Sequence, residues 1–296
     1  MKRKALAITL AAAMAMGTCA VTASAADGDK YTIGICQLVQ HEALDAATQG
    51  FKDEVTKELG EDAVTFDEQN AQGDSNTCST IINSFVSNNV DLILANATAP
   101  LQSAAAATTD IPILGTSVTD YATALDISDW SGTTGRNISG TSDLAPLSEQ
   151  AAMLNELFPD AKNVGLLYCS AEANSQYQID VIKEELEKLN YTCTAYSFVD
   201  SNDIASVVQS AVNDNDVLYV PTDNTAASNT EVINNIAGEA GVPIIAGEAG
   251  ICKGCGVATL SISYYDLGYQ TGKMAYEILV NGADPSTMEV EFAPAV

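Results

Sequence analysis

Seven cysteines and one histidine are the residues of this chain best suited to redox or metal chemistry. Cys252 and Cys255 have the Cys-x-x-Cys spacing of a redox-active pair or of half a zinc site. The chain has no second such pair and His41 is its only histidine, so a closed four-ligand zinc site is hard to assemble. We predict that Cys252 and Cys255 form a loop disulfide or remain free thiols. The cysteines expected to be buried within apolar or helical patterns are Cys36, Cys78, Cys169 and Cys193.

His41 stands beside Glu42 and Asp45 in a predicted loop. General acid–base or metal chemistry would need partners at a defined spacing. The sequence contains no nucleophile elbow, no phosphate-binding glycine loop and no paired metal motif. We therefore interpret His41 as a loop anchor or cleft contact, and we predict no catalytic activity, no cofactor and no bound metal.

Small polar residues follow the predicted strands. The carboxyl ends of parallel strands line a common crevice, where hydroxyls, amides and helix N–H groups suit a zwitterionic or polyhydroxy ligand. Such residues also cap helices, which is the competing interpretation for Ser75, Ser175 and Thr225. Asp223 and Glu248 are the most informative, because a buried carboxylate is costly unless it is paired or solvated. The ligand-binding candidates are Gln37, Gln40, His41, Asn96, Thr98, Thr116, Ser117, Glu172, Asn174, Ser175, Asp223, Asn224 and Glu248.

The elements that carry these candidates alternate between short β-rich runs and amphipathic helical stretches. This alternation is typical of parallel sheets with crossover helices. The predicted strands cover residues 31–36, 64–68, 91–95, 111–115, 164–168, 194–198, 217–220, 243–246 and 257–262. The predicted helices cover residues 43–58, 75–87, 100–107, 147–157, 176–189, 204–212, 226–240 and 267–280. We predict an α/β protein with two doubly wound parallel-sheet lobes and a ligand cleft between them.

The chain is longer than one hydrophobic core usually organises, which also favours two lobes. The alternation breaks over residues 121–137, and we interpret this stretch as the passage between lobes. The predicted boundaries are 30–136 for the first lobe, 137–265 for the second, and 266–296 for a crossover helix and return strand. The return strand begins near residue 290, so we expect the sequence to continue beyond residue 296 in the complete protein.

The first 25 residues have the pattern of a secretory signal peptide. Basic residues at 2–4 precede an apolar run over 5–16, and small residues follow at 23–25. The apolar run is shorter than the roughly 20 residues that a membrane-spanning helix needs. Two processing routes remain open, because Cys19 lies in a segment similar to a lipoprotein signal. We predict an extracytoplasmic protein that is either secreted or lipid-anchored through Cys19.

The charge balance excludes one class of partner. Aspartate and glutamate number 39 against 12 lysines and arginines, and the formal net charge is −27. Such a surface repels nucleic acid and anionic lipid. It does not identify a ligand.

Motifs along the whole predicted mature chain resemble the ABC-transporter substrate-binding proteins of the tryptophan/tyrosine type. No single motif is specific, but together they are. They are Ile33-Gly34-Ile35 with Gln37 and His41, Asn70-Ala71-Gln72-Gly73-Asp74, Asn96-Ala97-Thr98, Asn137 to Asp143, Tyr168 with Glu172 and Asn174-Ser175, Pro221-Thr222-Asp223-Asn224-Thr225, and Tyr265-Asp266-Leu267-Gly268 with Thr271-Gly272.

The resemblance implies a type I periplasmic binding protein fold and adds Asp143 to the candidates. It also implies a monomer that captures an amino acid, aromatic or not, by lobe closure and delivers it to a membrane permease and its ATPase. In the corresponding hypothesis Thr98, Thr116 and Ser117 lie near the ligand carboxylate, and Asp223 lies near its ammonium. The alternatives are a sugar, nucleoside or other small metabolite on the same fold, or an extracellular enzyme on a similar frame.

Overall fold

The structure is a computed structural model that describes residues 30–292, so the predicted signal peptide and Cys19 lie outside the described residues. The strands are β1 Tyr31–Gln37, β2 Val64–Asn70, β3 Leu92–Asn96, β4 Ile113–Val118, β5 Ile138–Ser142, β6 Asn163–Cys169, β7 Thr192–Phe198, β8 Val217–Val220, β9 Ile244–Ala246, β10 Ala258–Thr259 and β11 Glu291–Phe292. The α-helices are α1 Glu42–Leu59, α2 Ser75–Ser87, α3 Thr98–Ala107, α4 Tyr121–Leu125, α5 Leu147–Leu157, α6 Ala173–Lys188, α7 Ile204–Asp214, α8 Asn224–Ala227, α9 Thr230–Ala240, α10 Ala249–Cys255 and α11 Tyr264–Leu279. Short 3-10 helices cover Glu61–Ala63 and Pro285–Thr287.

The strands form two parallel sheets, each with its own apolar core. The first sheet has six strands in the order β11-β5-β4-β3-β1-β2, and the second has five in the order β10-β9-β8-β6-β7. Every strand pair described is parallel. The predicted α/β class with two parallel-sheet lobes is confirmed.

The predicted start of the second lobe at residue 137 is wrong, because β5 pairs with β4 in the first sheet. Tyr121 explains the arrangement. Its buried hydroxyl lies against Gly115 of β4 and Gly140 of β5, where a Cβ would collide with it, and it donates to Thr141 O at 3.2 Å. Trp130 stacks on Tyr121, so the irregular stretch 121–137 belongs to the first lobe. The chain passes between lobes at residues 143–146 and 260–263.

The last helix belongs to the first lobe. A Cβ at Gly268 would collide with the backbone oxygen of Ala47, so α11 lies directly against the backbone of α1. Tyr264 and Tyr265 form the first turn of α11 behind a Ser263 N-cap. The strand predicted over 257–262 is reduced to Ala258–Thr259.

Two elements of the second lobe differ from the prediction. The helix predicted over 226–240 is interrupted at Ser228 and Asn229, which separate α8 from α9. Cys252 and Cys255 lie on α10 rather than in a loop, and both are free thiols. Glu248 starts this helix by accepting from the N–H groups of Gly250 and Ile251. No helix within residues 30–292 is long and apolar enough to span a bilayer.

Candidate ligand-binding site

Two strand ends of the first lobe carry buried hydroxyls without partners. Thr98 lies two residues after the end of β3, and Ser117 is the second-last residue of β4. Neither side-chain oxygen has a hydrogen-bond partner among the described residues. Ala97, at φ 104° and ψ 168°, and Ser117, at φ 55°, occupy conformations that non-glycine residues rarely adopt. Such strain is often found at binding sites. Because α3 begins at Thr98 with no side-chain cap, its N-terminus and both hydroxyls suit a carboxylate.

Three predicted candidates support these strand ends from behind. Asn96 donates through Nδ2 to Thr48 Oγ1 at 2.9 Å, and Thr48 donates to Gln37 Oε1 at 2.7 Å. Thr116 lies 3.3 Å from Thr141 between their hydroxyl oxygens. Gln37, Asn96 and Thr116 therefore hold the sheet edge through internal hydrogen bonds, and the predicted carboxylate contact of Thr116 has no support in this geometry.

Glu172 organises the facing edge of the second lobe. Its carboxylate accepts from the backbone N–H groups of Asn224 and Thr225, and from both of their side chains, at 2.7 to 3.1 Å. Asn174 adds a further donor at 3.2 Å. His41 of the first lobe donates from Nε2 to Asn224 Oδ1 at 3.1 Å, and burial lowers the pKa of His41. His41 thus links the two lobes, and its contact with a ligand stays a prediction.

Asp223 lies behind the cleft wall. Its two carboxylate oxygens accept from Cys169 N at 2.6 Å and from Ala226 N at 2.8 Å. Burial and the charge of Glu172 raise the pKa of Asp223 to about 7. Both oxygens are engaged in holding α8 and β6, so the geometry favours capping over the predicted ammonium contact. Ser175 is buried beside Asn174 on α6 and likewise supports the wall.

A cavity of about 310 Å³ opens between the lobes, and its lining includes Ala99, the residue after Thr98. Its volume is at the lower end of the range typical of small-molecule sites. The candidates on its wall are Glu172 and Asn224, and the lining residues include no aromatic side chain. Sequence reasoning missed the apolar part of this wall, because an apolar residue after a strand has no distinguishing pattern. That part is formed by Leu38, Val39, Ala99, Ala171 and Val199.

A second, more open cavity of about 450 Å³ contains Gln40, His41 and Glu248. Lys253 and Glu42 form an ion pair of 2.7 Å across it, with side chains 72% and 58% exposed. An ion pair exposed to this degree adds little stability, because water screens it. Glu248 is buried, and this burial raises its pKa.

Asp143 lies where the chain first leaves the first lobe. Thr119 donates to one carboxylate oxygen and Tyr264 to the other, both at 2.9 Å. Burial raises the pKa of Asp143. Tyr264 was not among the ligand candidates, and its position at the second crossing segment depends on how α11 starts.

Burial raises the pKa of both thiols of the Cys-x-x-Cys pair. Burial raises the pKa of Cys255 to about 12, which keeps the thiol protonated and unreactive. No cluster of three or more histidine, cysteine, aspartate or glutamate side chains within residues 30–292 is arranged to hold a metal ion.

Residues 32–295 match the family model described as ABC transporter substrate binding protein. The chain belongs to this family. It is 38% identical over 251 residues to the tyrosine-binding protein of Clostridioides difficile strain R20291, covering 83% of this chain and 72% of that protein. The protein therefore acts outside the cytoplasm. Its partners are a small-molecule ligand and an ABC permease.

Two solved relatives share the fold and match this chain with different TM-scores. An ABC domain from Streptococcus pneumoniae in complex with L-Trp has a TM-score of 0.86 at 32% identity, with 89% of each chain covered. The ligand-free, open structure of a substrate-binding protein with adhesive properties from Clostridium difficile scores 0.67 at 39% identity, with 90% of each chain covered. The present chain is thus closer in shape to the complex than to the open form, although its sequence is closer to the latter.

The type I periplasmic binding protein fold is shared more widely. A myo-inositol complex of a solute-binding protein from Bacillus halodurans matches with a TM-score of 0.63 at 16% identity, over 90% of this chain and 93% of that chain. At this identity the likeness concerns the fold alone. The family and fold that the sequence motifs indicated are confirmed.

Proposed function

We propose that this protein captures a zwitterionic amino acid between its lobes, preferably one with an aromatic side chain, and delivers it to its permease without changing it chemically. The observation that carries the proposal is the pair of buried hydroxyls of Thr98 and Ser117, which have no partner among the described residues. Thr98 is the first residue of α3, which has no side-chain cap, and Ser117 lies near the end of β4, the strand that pairs with β3. Leaving buried donors unpaired costs about 1–3 kcal/mol each, and a ligand carboxylate relieves this cost.

The neighbouring cavity suits a side chain that is largely apolar. Leu38 and Val39 from the first lobe face Ala171 and Val199 from the second, so a ring entering this space contacts aliphatic groups from both sides. Two similar proteins support the aromatic preference: one is named as tyrosine-binding, and the other was solved with L-Trp.

A sugar or nucleoside is the second candidate class, and the geometry supports it less. Sugar sites commonly use aromatic rings for stacking, and no aromatic side chain lines the 310 Å³ cavity. The solved relatives that bind or transport sugars or inositol are only 14–16% identical to this chain, so they support the fold and not the ligand.

The test is isothermal titration calorimetry of purified protein against L-tyrosine, L-tryptophan, L-phenylalanine, L-leucine, glucose, myo-inositol and adenosine. We expect micromolar or tighter binding of at least one aromatic amino acid and no heat with the sugars or adenosine. Binding of a sugar or nucleoside in place of every amino acid would overturn the proposal, and so would chemical conversion of a bound amino acid detected by mass spectrometry.

Export and oligomeric state belong to the same proposal. We expect cleavage after residue 25 or acylation at Cys19, and a monomer in solution. Intact-mass measurement of protein recovered from the producing cells distinguishes the two routes, because acylation leaves the chain starting at Cys19 with a lipid mass. Light scattering tests the monomer.

A further inference from the structure

Two cysteines of the first lobe, Cys36 and Cys78, lie between β1 and α2. Both side chains are completely buried in one apolar cluster, and both are thiols in this structure. Cys36 donates a hydrogen bond from its thiol to the sulfur of Cys78. Within residues 30–292 they are the two cysteines of the first lobe, so each has only the other as a partner there.

The packing of α2 on β1 brings these two side chains together. Gly34 and Cys36 share one face of β1, because side chains alternate along a strand. Phe85 covers this face at Gly34, where an added Cβ would lie 2.6 Å from the ring. Cys78 lies about two helical turns before Phe85 and therefore extends from the same side of α2. Cα atoms of the two elements come within 8 Å of each other.

Backbone hydrogen bonds also join the end of β1 to the segment that leads into α2. Ala71 N donates to Gln37 O at 2.9 Å, and Gly73 N donates to Leu38 O at 2.8 Å. Asp74 then caps α2 by accepting from two of its N–H groups. The start of α2 is thereby fixed over the end of β1, which keeps the two thiols in contact.

The surroundings favour a reaction between the two thiols. Their hydrogen bond lowers the pKa of Cys78 and raises the pKa of Cys36. Cys78 also lies in the first turn of α2, where the helix dipole stabilises a thiolate. Because a thiolate is the attacking group in thiol–disulfide exchange, Cys78 is the better nucleophile of the two. The protein acts outside the cytoplasm, where disulfides form and persist.

The two cysteines on strands of the second lobe have no such neighbour. Cys193 is aligned with Val164, and Cys169 is aligned with Phe198, although the strands are adjacent. This offset along the strands is about 16 Å, well beyond the roughly 7 Å between Cα atoms that a disulfide can span. Cys169 and Cys193 therefore serve as internal controls, because they cannot pair with each other.

We propose that Cys36 and Cys78 are a modification site, which becomes a disulfide as the exported chain folds outside the cytoplasm. The oxidant is the disulfide of a small thiol or of an exported oxidoreductase. The Cys78 thiolate attacks one sulfur of the oxidant and displaces a thiolate. Cys36 then loses its proton and attacks the Cys78 sulfur of this mixed disulfide, which displaces the second thiolate. The two displaced thiolates take up the two protons that the cysteines lose, so the oxidant is reduced to two thiols.

The disulfide joins two segments that line the same part of the cleft. Leu38 and Val39 follow β1, Asp74 and Ser75 precede and start α2, and all four line the 310 Å³ cavity. The bond closes a loop of about 40 residues, which restricts the unfolded chain. Since neither cysteine is exposed in the folded lobe, oxidation precedes the final packing of α2, and the bond is afterwards shielded from reductants.

The first test is mass spectrometry of protein recovered from outside the producing cells. N-ethylmaleimide under denaturing conditions labels every remaining thiol, and proteolysis without reductant shows which cysteines are joined. We expect a cross-linked peptide that contains Cys36 and Cys78 and disappears on reduction, whereas Cys169 and Cys193 are labelled. Labelling of both Cys36 and Cys78, or a cross-link from either to another cysteine, would overturn the proposal.

The second test compares the melting temperatures of protein refolded with oxidised glutathione and with a phosphine reductant. The wild type and Cys193→Ala should melt at least about 5 °C lower in the reduced form. The double variant Cys36→Ala, Cys78→Ala should show no difference, and the double variant Cys252→Ala, Cys255→Ala should keep it. A difference that depends on the α10 pair instead of the first-lobe pair would refute the proposal, and so would equal melting of the two wild-type forms. Should the first-lobe variant not fold, the wild type and the α10 variant still decide the question.

Discussion

Replacing Thr98 by valine should stabilise the ligand-free protein and weaken ligand binding at the same time. The Thr98 hydroxyl is buried and has no partner among the described residues, while valine has the same shape without the polar group. Removing an unsatisfied buried hydroxyl gains about 1 kcal/mol. In a protein of this size that corresponds to a rise in melting temperature of about 2–4 °C.

Binding should change in the opposite direction. A hydrogen bond to a charged carboxylate contributes about 1.5–3 kcal/mol. Its loss raises the dissociation constant of L-tyrosine by about 10- to 150-fold. Urea unfolding without ligand gives the stability, and calorimetry with L-tyrosine gives the affinity.

Thr141→Val is the matched control, because it makes the same substitution at a buried threonine with partners. Thr141 Oγ1 lies 2.8 Å from Thr271 Oγ1 and 3.3 Å from Thr116 Oγ1. We expect the control to lose about 1–2 kcal/mol of stability and to bind L-tyrosine within about twofold of the wild type. A Thr98→Val protein that is destabilised like the control, or that binds L-tyrosine as the wild type does, would refute this reasoning.

Three further predictions concern packing, surface charge and pH. Gly268→Ala should destabilise the protein by about 1–3 kcal/mol, because the added Cβ collides with the backbone of α1. Gly238→Ala, on the open face of α9, should instead stabilise the protein by about 0.5–1 kcal/mol. Equal unfolding midpoints for the two variants would contradict this prediction. Lys253→Ala removes only an exposed ion pair across the cleft, so urea unfolding should change by less than about 1 kcal/mol, and a larger loss would contradict the screening argument. Because the pKa of Asp223 is raised to about 7, the folded state holds a proton that the unfolded chain has released. The stability that this group contributes is complete below about pH 4 and is lost as the pH rises to 7. Asp223→Asn should therefore flatten the pH dependence of the unfolding free energy between these pH values. An unchanged slope would contradict the raised pKa of Asp223.

Local patterns predicted the elements whose ends are set by local chemistry. The helix predicted over 75–87 has those bounds in the structure, because Asp74 caps it by accepting from the N–H groups of Asn76 and Thr77. The missed helix α10 contains Gly250 and Gly254, which disfavour helix in isolation. It forms because Glu248 caps it and because the helix packs in the second lobe.

The predicted lobe boundary at residue 137 was wrong because contacts between residues far apart in the sequence decide it. Nothing local in residues 121–137 shows that Tyr121 fills the space over Gly115 and Gly140, which are distant from each other in sequence. Part of the candidate site was predictable, because polar residues after parallel strands collect at one edge. Which of them face a ligand was not predictable, since Thr98 and Asp223 have the same kind of position and differ only in whether neighbouring N–H groups engage them.

The division of the site between two lobes also explains why its groups can remain unsatisfied. Thr98 and Ser117 belong to the first sheet and Glu172 and Asn224 to the second, and neither edge provides a partner for the two hydroxyls. In the proposed function, a ligand held between the two edges provides that partner through its carboxylate. The Asp143–Tyr264 hydrogen bond joins the two crossing segments rather than the cavity walls. Changes there should therefore act on the population of the closed form, whereas changes at Thr98 act on its contacts with the ligand.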